Sequence, residues 1–301
     1  MSNINFKECS LVNVGTALPD CVAELGQPKG FVLTSRDWSE DVSTTLDKAY
    51  FQQKVQEGVF IPFLNATGFE ENTPDATNQE FQDGTMVNVR SGKPMFTFQY
   101  TKSVHFQKIA SKYNSFERFN ILLVFDNDNL FGALNSNETE VSGLKLGMLH
   151  TNTYNQNDGS NVGQTPISMQ LLDNKQYNEG AVIDPEFDLN SELFGVLDVD
   201  VAGTSASGSV SFSVKASVNE AVNIKGLLAG NLRLVVDGVA EAITNVTYDD
   251  VSNEYTGDPT NAFAGGEEVV VELYDDSIPA NVAILNNRFY RGKSAIITAV
   301  A

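Results

Sequence analysis

The chain has 301 residues, of which 42% are hydrophobic and 19% charged, and its formal net charge is −20 from 39 acidic and 19 basic side chains. The apolar content excludes a disordered chain, and the length favours two domains, since domains usually have about 100–200 residues. The negative charge excludes ordinary binding to nucleic acid or to anionic membranes, because it repels their phosphates. It serves equally well to keep the protein in solution.

The N-terminal residues point to synthesis and folding in a cytoplasm. Met1–Glu8 lacks a basic stretch followed by an apolar one, so we expect no Sec-type signal peptide. No apolar run in the sequence approaches the roughly 18 residues of a membrane span. Cys9 and Cys21 are expected to be free thiols in a reducing compartment, with a small disulfide loop as the alternative.

A helix and a long loop are predicted in the first third of the chain. The helix covers residues 43–58, because apolar side chains recur there with helical spacing. Ser43 and Thr44 are suited to its N-cap and Gly58 to its end. Residues 65–85 are rich in turn-forming and acidic residues, which predicts a long exposed loop. Such loops in compact domains often carry function or become ordered against a partner.

Alternating and helical patterns continue to residue 198. In the segment 94–100 the side chains of Phe96, Phe98 and Tyr100 share one strand face, which is predicted to be core. The second helix carries an apolar stripe and begins at Thr101 or Ser103. Further strands are predicted at 30–34, 120–125, 144–153 and 167–172. Residues 1–198 are therefore predicted to form a β-rich sandwich or barrel-like assembly domain with about two helices.

The composition changes at residues 199–207, where small polar residues predict a linker. From Val210 to Val218 apolar and polar residues alternate without exception, as in a half-buried antiparallel strand. Asp237-Gly238 predicts a two-residue hairpin turn. Further strands are predicted at 232–236, 242–248, 269–274 and 295–300. Short strands with frequent turns predict that residues 208–301 form an immunoglobulin-like β-sandwich.

One polar turn resembles the beginning of a calcium-binding loop. It is the run Asp126-Asn127-Asp128-Asn129. Leu130 stands at the third ligand position, and Asn137 stands where such a loop has its glutamate. A polar hairpin turn is therefore the favoured interpretation, and no metal site is predicted.

Catalytic motifs are absent from the sequence. His105 and His150 have no evident nucleophile partner; His105 is expected to face solvent, and His150 to lie in the core or at an interface. Neither a Gly-x-Ser-x-Gly motif nor a phosphate-binding loop is present.

Acidic residues supply a weaker argument for catalysis. Asp184, Glu186 and Asp188 contain carboxylates that a glycosidase pair needs, but chance pairs are expected among 39 acidic residues. The single tryptophan, Trp38, argues against an aromatic carbohydrate cleft. We therefore predict no enzyme, no catalytic or cofactor-binding residue and no cofactor.

The segment Gly92-Lys93-Pro94-Met95-Phe96-Thr97-Phe98-Gln99-Tyr100 and the helix after it resemble stretches in structural proteins of phages infecting Bacteroidetes. A β domain followed by an immunoglobulin-like domain at Val210–Ala301 is similar to a tailed-bacteriophage virion protein, most of all a tail tube protein. The resemblance implies homo-oligomeric, stacked hexameric rings in the virion, assembled in the host bacterial cytoplasm. Its partners would be further copies, other virion proteins and DNA that passes without specific binding, with no membrane. A capsid decoration or fibre-base protein is the alternative, and a carbohydrate-active enzyme is a weaker one.

The predicted interfaces lie in the first domain. Loops 65–85 and 154–164 are expected to contact neighbouring rings, and the extended segment 6–23 is expected to become ordered only against a partner subunit. Residues 1–198 are thus expected to contain the oligomer interface, and residues 208–301 to form a peripheral module.

Overall fold

The computed structural model describes residues 25–137, 139–159, 162–172, 174–178, 180–185, 187–206, 208–217, 219–276, 281–286 and 288–300. Cys9, Cys21 and the segment 6–23 lie outside the described residues. The chain divides into two compact units. The N-terminal unit is the chain up to Lys54 with Val59–Leu193, and the C-terminal unit is Val55–Gly58 with Phe194–Ala301.

The protein is mainly β, with 51% of residues in strands and 10% in helices, which confirms the predicted fold class. The helices are α1 (Lys48–Gln56), α2 (Val104–Ser111), α3 (Lys175–Asn178), α4 (Leu189–Glu192) and the 3-10 helix η1 (Ala229–Asn231). The strands of the N-terminal unit are β1 (Pro28–Ser35), β2 (Ser39–Asp41), β3 (Phe60–Phe63), β4 (Gly68–Glu71), β5 (Thr77–Glu80), β6 (Met86–Arg90), β7 (Met95–Tyr100), β8 (Ser115–Phe116), β9 (Phe119–Phe125), β10 (Leu130–Leu134), β11 (Glu140–Ser142), β12 (Leu144–Thr151), β13 (Thr165–Leu171) and β14 (Gly180–Ile183). Those of the C-terminal unit are β15 (Val196–Ala206), β16 (Ser209–Ala216), β17 (Asn219–Asn223), β18 (Leu232–Val236), β19 (Val239–Asp249), β20 (Glu254–Pro259), β21 (Glu268–Leu273), β22 (Ala283–Leu285), β23 (Arg288–Arg291) and β24 (Ile297–Thr298).

The N-terminal unit is built on a curled sheet of order β2-β11-β10-β9-β12-β13-β7-β4, to which β1 adds by pairing with β9 and β3. Every residue of β9 is buried, as its continuous apolar run predicts. Phe96, Phe98 and Tyr100 of β7 are fully buried, and Phe98 packs against Phe31 with ring centroids 5.2 Å apart. The prediction that this aromatic face is core is confirmed.

Helix α1 starts later than the sequence predicts. Asp47 caps it, because its carboxylate accepts the backbone N–H of Tyr50 at 2.9 Å. Ser43 cannot cap the helix because its own N–H and hydroxyl donate to Asp41. The N-cap prediction for Ser43 and Thr44 was therefore wrong. Gly58 ends the helix as predicted, with φ of 76° and its N–H donating to the carbonyl of Val55.

Tyr100 makes stability depend on alkaline pH. Its hydroxyl donates to the carbonyl of Phe63 at 2.7 Å, and burial raises its pKa well above the usual value. The folded protein thus keeps this proton at pH values where the unfolded chain loses it. The stability that the Tyr100 hydroxyl contributes is therefore complete below about pH 10 and decreases as the pH rises further.

We expect Tyr100→Phe to lower the free energy of unfolding at pH 7 by about 1–3 kcal/mol, because the buried Phe63 carbonyl loses its partner. Its stability should then decline less steeply than that of the wild type above about pH 10. Urea unfolding at pH 7 and above about pH 10 tests this, with Tyr154→Phe, at a partly exposed residue between β12 and β13, as control. Parallel stability profiles for wild type and variant would contradict the assignment.

The predicted linker at 199–207 is wrong for residues 199–206, which belong to strand β15. Val199–Ala206 pairs residue by residue with Ala216–Ser209 of β16, and Val196–Asp198 pairs in parallel with β23. Val199 and Val201 are buried in the core of the unit. Small polar residues occur in solvent-exposed parts of paired strands as well as in linkers. Composition alone therefore did not distinguish a strand from a linker here.

The C-terminal unit has an immunoglobulin-like strand order, as predicted. If β15, β16, β18, β19, β20, β21 and β24 are lettered A to G, the sheet path reads A-B-E-D followed by C-F-G. The chain just before strand G also bridges in parallel to strand A, at Val201 and Ser294. The alternation predicted at 210–218 is present in β16, and the Asp237-Gly238 turn has positive φ at both residues.

Candidate assembly surface

The Asp126–Asn129 run is the turn between β9 and β10, as predicted. The Asp126 carboxylate accepts the N–H of Gln27 at 3.0 Å, while that of Asp128 accepts the side-chain amide of Asn190 at 2.9 Å. The two carboxylates are thus committed to different partners. Among the described residues no cluster of three or more His, Cys, Asp or Glu is able to hold a metal ion.

The candidate catalytic carboxylates do not form an evident acid–base pair. Asp188 is the N-cap of α4, and hydrogen bonds from Ser191 lower its pKa below the usual range. A carboxyl group held ionised in this way is poorly suited to act as a general acid. Asp184 is partly buried, and Glu186 lies outside the described residues.

The two histidines lie on the surface, and the tryptophan lies in the interior. His105 is exposed, as expected, and His150 is also exposed, so the core position was wrong and the interface position stays a prediction. The reason is strand alternation: Leu149 and Thr151 on either side are buried, which turns His150 outward. Trp38 is buried and its indole N–H donates to the hydroxyl of Tyr50 at 2.9 Å, so it offers no platform to a sugar.

The segment predicted as a long loop contains paired strands instead. Within residues 65–85, β4 pairs with β7, and β5 pairs with β6 to form a separate two-stranded sheet. Gly84, with φ of 80°, supplies the left-handed residue of its turn. Turn residues and charges hid these strands from sequence reasoning, because β5 has no apolar residue at all. The predicted exposure is confirmed for residues 74–85, whereas Ala66 is buried in the core and Phe69 packs against it.

This hairpin, here named the arm, comprises residues 72–94 and continues the β4–β7 pair beyond the main sheet. The N–H of Asn72 still donates to the carbonyl of Met95 at 2.7 Å, and further out Thr77 pairs with Arg90. Every residue from Pro74 to Val89 is exposed. An isolated two-stranded hairpin is only marginally stable in water, so the arm gains little from its own contacts.

The surface of the arm is apolar and acidic. Phe81 is 52%, Met86 65% and Val89 60% exposed. Its exposed part, residues 74–89, contains three acidic residues and no basic one, while Arg90 and Lys93 stand at its base. Exposed apolar side chains rimmed by polar ones mark contact surfaces on soluble proteins. The arm is therefore the strongest candidate for an assembly element in the described part of the chain.

A second hairpin leaves the same sheet at its other end. Residues 152–164 extend the β12–β13 pair through the bridge between Asn155 and Gln164. In the register of β13 with β7, Thr165 lies opposite Tyr100, and Gln170 lies opposite Met95. The second hairpin thus leaves near Tyr100 and the arm near Met95, about 20 Å apart along a strand of this length.

Helix α2 lies at the end of the second hairpin. The side-chain amide of Gln107 donates to the carbonyl of Asn152 at 3.0 Å, and the N–H of Thr151 donates to the side-chain oxygen of Asn114 at 2.7 Å. The middle of the helix and the residues after it are therefore tied to the base of that hairpin. An exposed apolar residue occurs on the helix as well, with Val104 57% exposed.

No protein-family model matches this chain. A search of curated proteins finds no significant match either. Among the described residues, no helix is both long and apolar enough to cross a bilayer. The argument for function therefore depends on the surfaces just described. Sequence reasoning pointed to the two loops but missed the exposed Phe81, Met86 and Val89, whose only signal was an apolar stretch within a polar segment.

Proposed function

We propose that this protein is a structural subunit whose copies assemble through the N-terminal unit into stacked rings, as in a bacteriophage tail tube. The observation that carries the proposal is the arm, a hairpin that is exposed throughout Pro74–Val89 and carries several large apolar side chains there. A hairpin of this kind costs conformational entropy to order and exposes apolar area to water. Contact with another subunit removes both disadvantages.

The position of the two hairpins favours head-to-tail contacts. The arm leaves at the Met95 end of β7 and the second hairpin lies beside its Tyr100 end, and the two hairpins differ in sequence. A two-fold contact would need one surface that fits itself, whereas two different surfaces at opposite ends join successive copies in one direction. Rings that stack, and tubes that grow by stacking, use contacts of this kind.

The charge of the chain supports a channel for DNA. With a net charge of −20, a tube of many copies presents a strongly negative surface overall. Such a surface repels DNA phosphates, so DNA passes along it without sticking. In this proposal DNA is a passing cargo, and the chain has no catalytic task.

Electron microscopy of the purified protein tests the proposal directly. We expect rings or short tubes in negative stain, and species larger than a monomer in sedimentation velocity at high concentration. A strictly monomeric protein at all concentrations would contradict it. If the copy number per virion follows capsid geometry instead of tail length, the protein is a capsid decoration protein.

The C-terminal unit is proposed to be peripheral to assembly. We expect a chain ending at Leu193 to form the same rings or tubes as the full chain, because the arm, α2 and the second hairpin all belong to the N-terminal unit. Sedimentation and negative stain of the shortened chain measure this. The assignment would be reversed if the fragment 194–301 alone formed oligomers while the shortened chain stayed monomeric.

A further inference from the structure

Helix α2 carries a basic surface on an otherwise acidic protein. Residues 102–112 contain three lysines and no acidic residue, in a chain with 39 acidic and 19 basic residues. His105, Lys108 and the C-cap Lys112 are exposed at spacings of three and four, which places them on one stripe of the helix, and the exposed Lys102 comes just before the N-cap. In the described part of the chain, no carboxylate lies within 4 Å of these lysine ammonium groups.

The arm has the complementary character. Its exposed part carries Asp75, Glu80 and Asp83 and no basic residue between Pro74 and Val89. Hydrogen bonds from Thr85 lower the pKa of Asp83, so its carboxylate keeps its charge into more acidic solution. Both surfaces also expose apolar side chains, Phe81 and Met86 on the arm and Val104 on α2.

The arm and α2 lie at opposite ends of β7. The arm leaves β7 at Met95 and extends away from the sheet, whereas α2 is tied to Thr151 and Asn152 at the other end of the same strands. Opposite charges at opposite ends of one unit attract successive copies in a single orientation and disfavour the reverse one.

We propose that the acidic arm of one copy docks on the basic α2 surface, residues 102–112, of the next copy. This inference rests on the proposed function and names the contact that joins its subunits. The lysine side chains bind the arm carboxylates, and Val104 covers the apolar side chains of the hairpin. Each copy contributes a different surface, so the contact repeats without closing on itself.

Charge reversal on each side, followed by mixing, tests the docking. The arm variant is Asp75→Lys with Glu80→Lys, and the helix variant is Lys102→Glu with Lys108→Glu. We expect each variant alone to need at least about tenfold more protein to assemble, because like charges then face each other across the contact. An equimolar mixture should assemble like the wild type, since the reversed arm fits the reversed helix.

The mixing experiment distinguishes docking from misfolding, because only folded variants can restore each other's assembly. Glu254→Lys and Arg288→Glu, both exposed in the C-terminal unit, are the matched controls and should leave assembly unchanged. Wild-type assembly should also weaken as added salt shortens the screening distance. Sedimentation velocity reports all of these quantities.

Three outcomes would contradict the docking, and only one of them also contradicts the proposed function. A wild type that never assembles overturns the proposed function and the docking with it. A wild type that assembles together with reversed variants that assemble equally well overturns only the docking. Variants that fail alone and also fail when mixed overturn it too, because the arm then binds some surface other than α2.

Discussion

Replacing residues 75–91 with an Asn-Gly turn is expected to abolish assembly while leaving the melting temperature of the protein nearly unchanged. The arm has no buried side chain between Pro74 and Val89, so its removal takes nothing from the core. A Cβ added to Gly92 would lie 1.8 Å from the Pro74 carbonyl oxygen, so the two ends of the cut are already adjacent. A two-residue turn joins paired strands at such a distance.

The loss of assembly should be complete because the arm supplies both the apolar and the charged side of the proposed contact. Sedimentation velocity and thermal unfolding of the shortened chain measure the two effects. The matched control replaces residues 250–253, the exposed turn between β19 and β20, with the same Asn-Gly dipeptide. Unchanged particles from the armless chain would show that the arm plays no part in assembly.

The second large effect concerns the boundary of the C-terminal unit. We expect the fragment 194–301 to unfold cooperatively and the fragment 208–301 to have no stable fold. The shorter fragment lacks β15, which pairs with β16 along eight residues and with β23 along three. It also loses the buried side chains of Val199 and Val201, each of which contributes about 1.5–3 kcal/mol.

These losses compare with a total stability of about 5–15 kcal/mol for a small domain. The unpaired backbone groups of β16 would add to the cost and leave an open edge. Urea unfolding of both fragments, followed by circular dichroism and by amide hydrogen exchange, tests this prediction. These signals are chosen because neither fragment contains tryptophan. Equal cooperative transitions for the two would show that residues 194–207 are a linker after all.

Local patterns in the sequence were sufficient where a strand has one face or both faces in the core. The alternation around Phe96 and Phe98 and the continuous apolar run of β9 each predicted a strand that the structure contains. The Asp237-Gly238 turn was equally readable, because few residues tolerate its positive φ. These features depend on a residue and its near neighbours, so sequence spacing alone reveals them.

Strands held mainly by a partner strand were not readable in the same way. Residues 202–206 are all small, and β5 is wholly polar, yet both form ladders with neighbouring strands. Their strand character comes from backbone hydrogen bonds, which leave no periodic signal in the side chains. Just before residue 202, the buried Val199 and Val201 alternate with Asp198 and Asp200, a signal of β15 that the linker prediction overlooked. Residues 199–207 were therefore predicted as a linker, and residues 65–85 as a loop.

The sequence by itself determined that the protein is a mainly β, strongly acidic chain with two successive β-rich parts and an exposed segment near residue 75. It contained the acidic residues at 75–83 and the lysines at 102–112 as two neighbouring stretches. Only the tertiary structure decided that they lie at opposite ends of the N-terminal unit. The reason is that β7 runs between them, and its register with β13 fixes each run at its own end of the sheet.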